Sequence, residues 1–258
     1  MPVSPPATIV AVSRRTCLGT VALGAGFLGT AFLGPWCRGA GGAEPPSRPL
    51  GAEPASRPLF DGRSLEGWQV RAGEDRWWKV ADGAIVGGSP TEPVPHNTFI
   101  CSRESFQNFD LRLAVRIRGH KGFVNSGVQI RSVRAPKSHE MIGYQVDAGD
   151  KWWGKLYDES RRKKVIAEPV DARAAAGVRP DDWNEYRIRT EGPRIQTWIN
   201  GIAALDYTEQ DPAIPLDGRI GLQVHGGGTL TVEFKDISIV PLPPTAGAAT
   251  WGPALEER

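Results

Sequence analysis

Residues 110–118 read Asp110-Leu111-Arg112-Leu113-Ala114-Val115-Arg116-Ile117-Arg118, and their alternation decides the fold class. In an extended chain successive side chains leave on opposite faces. Leu111, Leu113, Val115 and Ile117 therefore share one face, while Arg112, Arg116 and Arg118 take the other. The same period recurs downstream. Val128 and Ile130 oppose Gln129 and Arg131, and Tyr144 and Val146 oppose Gln145 and Asp147. Tyr186, Ile188 and Thr190 oppose Arg187 and Arg189, and Ile220, Leu222 and Val224 oppose Arg219, Gln223 and His225. Val232 and Phe234 open a last strand that restarts out of phase at Ile237 and Ile239, which predicts a bulge near Lys235-Asp236.

Asp82-Gly83 and Asn200-Gly201 are hairpin dipeptides flanked by strand residues, and only Asp171–Gly177 reads as a short helix. About eleven strands joined by hairpins predict antiparallel sheets packed face to face, an all-β sandwich of jelly-roll type, with a barrel as the alternative. Composition agrees: nine Trp against two Met, with 31 Gly and 22 Pro, favours a loop-rich β architecture. At 258 residues the chain is long enough to bury about three quarters of its unfolded surface without metal or disulfide. A net charge of +2, from 31 basic and 29 acidic residues, leaves no global field to draw in nucleic acid.

The ends read differently. Arg14-Arg15 stand before an apolar run from Leu18 to Leu33, and small residues follow at Ala40-Gly41-Gly42-Ala43. This is the pattern of a secretory signal over residues 1–43, with the arginine pair pointing to twin-arginine export; an uncleaved anchor is the alternative. Cleavage removes three arginines and no acid, so the mature chain is close to neutral and carries no transmembrane segment. It also removes Cys17 and Cys37, leaving Cys101 alone, a buried small hydrophobe with no disulfide partner. Residues 44–58 fall in a direct repeat, Gly42–Leu50 then Gly51–Leu59, whose prolines make a semi-extended linker. One domain is expected over 59–241, with a flexible tail over 242–258. The destination is periplasmic or secreted.

Three strands carry an unusual outward face: Gln129 and Arg131, Gln145 and Asp147, Gln223 and His225. Amides, an acid and an imidazole can give and accept hydrogen bonds, as sugar hydroxyls require. Nearby loops add Asn125-Ser126, Trp152-Trp153 and Tyr157, and an aromatic plate is what a pyranose ring stacks on. The plainer reading is an ordinary polar face with Trp pairs plugging the core edge. His225 precedes Gly226-Gly227-Gly228, where backbone can approach a ligand closely. Asp147 and Glu140 suit a base or metal ligands, although such carboxylates are usually solvated. His96, His120 and His139 fall in expected loops without a role. No Gly-x-Ser-x-Gly elbow, Walker loop, His-Glu-x-x-His or CxxC pair is present. A retaining jelly-roll glycosidase would want Glu-x-Asp-x-x-Glu; the nearest match, Glu209-Gln210-Asp211-Pro212-Ala213-Ile214, ends in Ile.

A series of short blocks resembles one family. Leu59–Trp68 and Trp78–Val86 resemble the opening of the 3-keto-disaccharide hydrolase domain, also described as a 3-keto-glucoside lyase/hydratase domain. Asn125–Gln129, Gly143–Asp147, Gly154–Tyr157, Trp183–Tyr186, Trp198–Gly201 and Gly221–Gly226 are similar to its later blocks in the same order, over residues 59–241. One departure is that the family often has an acid where Gln145 stands and Gln at Asp147. The resemblance implies a concanavalin A-like jelly roll and cleavage of 3-keto-glycosides: proton abstraction at C2, elimination of the aglycone from C1, then hydration. It implies His225 or Asp147 as base, Tyr157 as acid to the leaving group, and Asn125, Gln129, Gln145, Lys155, Trp153 and Gln223 around the substrate. It leaves open a divalent metal held by Asp147, His225 and Glu140; no other cofactor is implied. A glycoside 3-dehydrogenase would supply the ketone. The rival reading is a lectin-like module that binds glycan without turnover.

Overall fold

The computed structural model describes residues 55–252, and the expected signal and most of the expected linker lie outside them. Fifteen strands among the described residues form two antiparallel sheets, more than the eleven or so expected, because several short edge strands carry no alternation long enough to read. The first sheet runs, from edge to edge, β13 (Ile202–Thr208), β12 (Arg194–Ile199), β11 (Asn184–Glu191), β6 (Asn108–Gly122), β15 (Gly228–Leu242), β4 (Ala84–Gly88) and β3 (Trp78–Ala81), with β1 (Arg57–Pro58) also on β15. The second runs β10 (Lys164–Ala167), β9 (Leu156–Glu159), β8 (Met141–Gly149), β7 (Asn125–Arg134), β14 (Arg219–Val224), β5 (Thr98–Ser105) and β2 (Trp68–Val70). This is the jelly-roll sandwich that the alternation predicts.

The core lies between the sheets and takes the apolar sets named above. Leu111, Leu113, Val115 and Ile117 of β6 meet Val128, Ile130, Tyr144, Val146, Leu222 and Val224 of the second sheet in one buried cluster. Each large apolar side chain so buried is worth ~1.5–3 kcal/mol, and that term drives the two sheets together. Turn chemistry sets the hairpins: Asp82 and Gly83 have φ of 50° and 75°, Asn200 and Gly201 50° and 78°, the left-handed pair that a two-residue hairpin requires. The bulge expected near Lys235-Asp236 is present as a register shift between Lys235 and Ser238, with Asp236 at φ 52°. The helix is Ala172–Ala176 (α1), capped by the Asp171 carboxylate, which accepts from the Arg173 N–H.

Two boundaries differ from expectation. Arg57 and Pro58, assigned to the linker, pair with Ile239 and Ser238 and so extend the first sheet. Residues 243–252, assigned to a flexible tail, add no strand but are tied down. Asn108 Nδ2 donates to the Pro243 carbonyl at 2.7 Å, Leu216 N–H to Ala249, and the Trp251 indole N–H to the Arg131 carbonyl at 3.2 Å. No helix among the described residues is long and apolar enough to cross a membrane.

Candidate functional site

Alternation in the second sheet places its polar residues on the face turned away from the core. Register then makes neighbours of them: Gln129 lies opposite Gln145 on one side and Gly221 on the other, Gln145 opposite Tyr157, and Asp147 opposite Gly127. This face, read from the sequence as outward and polar, is buried. Gln129 and Gln223 are fully buried, and Gln145 and Asp147 each retain 2% exposure. Met141 packs with Phe99 and Cys101 in a small cluster of its own, beside Gly221 and Gln129. Cys101 is free and fully buried, and burial pushes its thiol pKa up, as fits a small hydrophobe.

Buried amides must be hydrogen-bonded, and these form a relay. The Ser132 hydroxyl donates to Gln129 Oε1 at 2.8 Å, and Gln129 Nε2 donates to Gln145 Oε1 at 2.8 Å. Gln145 Nε2 then donates to Asp147 Oδ1 at 2.7 Å and to Gln223 Oε1 at 3.1 Å. Gly127 makes room for this: a Cβ there would lie 2.6 Å from Gln145 Cγ. The relay ends at Asp147 Oδ2 and at Gln223 Nε2, both buried and without a partner. Burial raises the Asp147 pKa to about 8, with the Gln145 hydrogen bond opposing the shift. The carboxyl therefore carries its proton at neutral pH.

Beside it opens a 270 Å³ pocket lined by Asn97, Phe123, Asn125, Gln145, Asp147, Trp152, Tyr157, Glu159 and His225. The β8–β9 turn supplies one wall. Gly154 N–H donates to the Asp147 carbonyl and Trp152 N–H to that of Gly149, and the Tyr186 hydroxyl holds the Asp147 carbonyl from the core side at 2.7 Å. The turn after β14 supplies the other wall. Gly226 N–H donates to Asn97 Oδ1 at 2.9 Å, and a Cβ at Gly226 would lie 2.6 Å from His96 backbone, so only glycine lets residues 94–97 close over the turn. His225 Nδ1 lies 2.7 Å from the Gly226 carbonyl. A carbonyl only accepts, so Nδ1 carries a proton, and in the neutral ring the lone pair lies on Nε2. Phe123, 40% exposed, sets its ring edge-to-face against His225 at 4.5 Å between centroids, and Trp152 lies in the same manner against Phe123 and Tyr157.

The site gathers His225, Asp147, Tyr157, Asn125 and Gln145 as expected, and places others elsewhere. Gln129 and Gln223 stand behind the pocket as members of the relay. Trp153 turns onto the core, edge-to-face with Tyr186 at 6.0 Å, and Trp152 is the pocket aromatic. Lys155 pairs with Glu168 at 3.3 Å and lies over the Trp152 ring. Arg131 leaves the polar face altogether: it sits at φ 51° where the β7–β8 register shifts, fully buried, and donates to Gln107 and Asn108. Burial lowers its pKa to about 10.

Asp147, His225 and Glu140, the metal set left open by the resemblance, do not converge among the described residues: Glu140 turns its carboxylate to Asn97 Nδ2, at 3.1 Å from each oxygen. Among the described residues the group of His, Cys, Asp and Glu close enough to share an ion is instead Glu74, His96 and His139. Three lining residues escaped the sequence reading: Asn97, Phe123 and Glu159. Only Glu159 had a legible signal, since it lies two residues from Tyr157 on one strand and so shares its face. Burial first, then repulsion from Glu140, raises the Glu159 pKa to about 7; burial, Glu159 and Asp147 also raise that of Tyr157.

Solved structures of similar architecture place this arrangement among known folds. A candidate glycosyl hydrolase from Parabacteroides distasonis ATCC 8503 superposes with a TM-score of 0.54 at 22% identity, covering 73% of this chain and 94% of its own. A Bacillus subtilis protein of unknown function and galectin-like fold gives 0.54 at 12% identity, covering 74% and 96%. At such identities the likeness is one of fold. No curated protein matches the chain. A family model does: the 3-keto-alpha-glucoside-1,2-lyase-like domain matches residues 55–240, which takes in both sheets, the amide relay and the pocket, and the chain belongs to that family.

Proposed function

We propose that the protein cleaves 3-keto-glycosides by elimination followed by hydration, with His225 as the base and Asp147 as the acid. The observation that carries this reading is the pairing, in one pocket, of an imidazole whose Nδ1 faces a carbonyl with a carboxyl whose burial raises its pKa to about 8.

The chemistry follows from the substrate. A ketone at C3 acidifies the C2 proton, which His225 Nε2 removes; electrons collect on the C3 oxygen as an enolate. Collapse of the enolate expels the aglycone from C1, and a proton from Asp147 reaches the departing oxygen. Water then adds across the C1–C2 double bond, so the net reaction is hydrolysis. Raised pKa values make both Tyr157 and Asp147 weaker acids than usual, but only the carboxyl remains strong enough to donate near neutrality. Tyr157 is left to hydrogen-bond and wall the ring. The pocket falls just under the ~300–1,000 Å³ typical of small-molecule sites, and its volume suits one sugar ring against Trp152 and Phe123.

Direct glycoside hydrolysis fits less well. It needs an ionised carboxylate as nucleophile or base, and the pocket carboxyls have pKa values raised to about 8 and about 7. We place the protein outside the cytoplasm, exported by the twin-arginine route and supplied by an oxidoreductase that makes the 3-ketone. The test is release of chromophore by the purified full chain from an aryl 3-keto-glucoside and from its unoxidised parent. Release from the keto substrate alone supports the proposal. Glycan binding without release from either would make the protein a lectin-like module, and release from the parent alone would establish ordinary hydrolysis.

A further inference from the structure

Beside the pocket, three residues far apart in the chain converge. Glu74 is 2% exposed, and one of its carboxylate oxygens, Oε2, accepts the Thr98 hydroxyl proton at 2.7 Å; Thr98 in turn accepts the Trp78 indole N–H at 3.1 Å. The other oxygen, Oε1, lies 3.0 Å from His139 Nδ1. The His139 ring stacks on that of His96, with centroids 3.4 Å apart and planes 20° from parallel. His96 Nδ1 is 3.0 Å from the Asn97 carbonyl, which only accepts, so Nδ1 carries a proton and Nε2 is the nitrogen available to a metal in the neutral ring. One ligand atom from each of the three residues lies within 4.8 Å of the others.

We propose that Glu74, His96 and His139 bind a divalent transition-metal ion. An ion pair between Glu74 and His139 accounts for one imidazole and gives the stacked His96 ring no part in it. A metal explains both, because it takes neutral imidazoles and a carboxylate together. The 3.0 Å between His139 Nδ1 and Glu74 Oε1 is close to the ~3.3 Å that separates two ligands of one tetrahedral ion with ~2.05 Å bonds. The proton between them occupies the place the ion would take. Thr98 does for Glu74 what outer hydrogen bonds do in metal sites generally: it fixes one carboxylate oxygen and leaves the other to coordinate. Arg134 stands 3.9 Å from Oε2, on the oxygen that Thr98 already holds.

Two nitrogens and one oxygen, without thiolate, suit Zn²⁺, Co²⁺ or Ni²⁺; Ca²⁺ and Mg²⁺ require more oxygens. His139 is half exposed at its side chain, which gives an ion a way in. The ion would join three segments that no sheet pairing connects: the turn at Glu74, residues 94–97, and the 135–140 loop. Asn97 and Glu140 follow directly after the two histidines and bond to each other, and Asn97 lines the pocket. The metal thus braces one pocket wall and takes no part in the proton transfers.

The test is metal titration of the tag-free full chain after chelator dialysis, using Zn²⁺ by calorimetry and Co²⁺ by its visible absorption. One ion per chain is expected, with a rise in melting temperature. His96→Ala and His139→Ala are each expected to weaken Zn²⁺ binding by at least ~100-fold, while melting as cooperatively as the apo wild type. Glu74→Gln, which keeps the Thr98 hydrogen bond, is expected to weaken it as well. His225→Ala is expected to leave affinity unchanged. Equal affinity in the wild type and both loop-histidine variants would overturn the site, and so would a loss confined to His225→Ala.

Discussion

The Gln145 side-chain amide donates to Oδ1 of Asp147 at 2.7 Å, and the second oxygen of that carboxyl has no partner in the protein. A buried carboxyl with one oxygen served and one open is held in place while keeping a proton to give. It also makes the site a source of pH-dependent instability. Burial raises the folded-state pKa of Asp147 to about 8, from the 3.8 of an exposed aspartate. The folded form therefore binds one proton more than the unfolded form between those values, and stability falls as pH rises through that window. Asp147→Asn removes the charge that must be buried. Its melting temperature should exceed the wild type's by more than ~2 °C at pH 8.5, with the gap closing by pH 4. Differential scanning calorimetry across pH checks this, and a constant gap would refute the assignment.

Replacing His225 separates chemistry from binding. His225→Ala should lower kcat on a 3-keto-glucoside by ~10²–10⁴-fold, the usual range for loss of a general base. Binding of the unoxidised glycoside, read by calorimetry, should change only a few-fold. A parallel loss of both would mean that His225 holds the substrate and does not act on it.

Glu209 predicts the opposite pH behaviour from Asp147. It accepts from the Tyr144 hydroxyl at 2.6 Å and the Tyr207 hydroxyl at 3.0 Å, and pairs with Arg162 at 2.6 Å. Burial raises its pKa, but Arg162, Tyr144, the Asp211 N–H and Tyr207 outweigh that and bring it to about 2. With the folded value depressed below 4.5, its contribution is present above that pH and is lost as pH falls toward 2. Glu209→Gln should cost ~1–3 kcal/mol at pH 7: Arg162 keeps Asp158 but loses its second carboxylate, and the Tyr144 and Tyr207 hydroxyls lose a charged acceptor. The cost should shrink in acid; urea unfolding at pH 7 and pH 3 measures it.

Removal of residues 243–258 tests whether the tail belongs to the fold. Trp251 donates its indole N–H to Arg131 and its backbone N–H to Asp217, and Thr245 N–H reaches Gln107. Several buried acceptors would lose their donors, each worth ~1 kcal/mol. The truncated chain should melt several degrees lower, and an unchanged melting temperature would show that the tail contributes nothing.

Alternation carried most of the fold because side chains in strands obey a period of two whatever lies above them. Leu111 through Ile117, the Lys235-Asp236 bulge and the Asn200-Gly201 turn are all where local chemistry puts them. Period alone does not say how deeply a face is covered, so nothing local announces that Gln129 and Gln145, read as contacts to substrate, are buried in a network of their own. It also fails where the period breaks: the left-handed backbone at Arg131 sends a residue that reads as a face neighbour of Gln129 beneath the C-terminal tail. Trp152 and Trp153 are adjacent, so composition favours neither; the turn hydrogen-bonded to Gly149 decides that one faces the pocket and the other the core. His96 and His139 stand 43 positions apart on separate loops, and nothing local announces that their rings touch.

The strand order has a consequence for how this chain comes to be folded. The last two strands, β14 and β15, are both interior: β14 lies between β7 and β5, and β15 between β6 and β4. Until they arrive, each sheet exists only as two separate ribbons with open edges. Gly228 pairs with Gly122 and Leu242 with Asn108, so closing the first sheet requires contacts between residues more than a hundred positions apart. Such long-range closure puts the domain at the slow end of folding, in the millisecond-to-second range for all-β topologies. A ribosome that has released only the first 218 residues has made most of the strands and neither sheet.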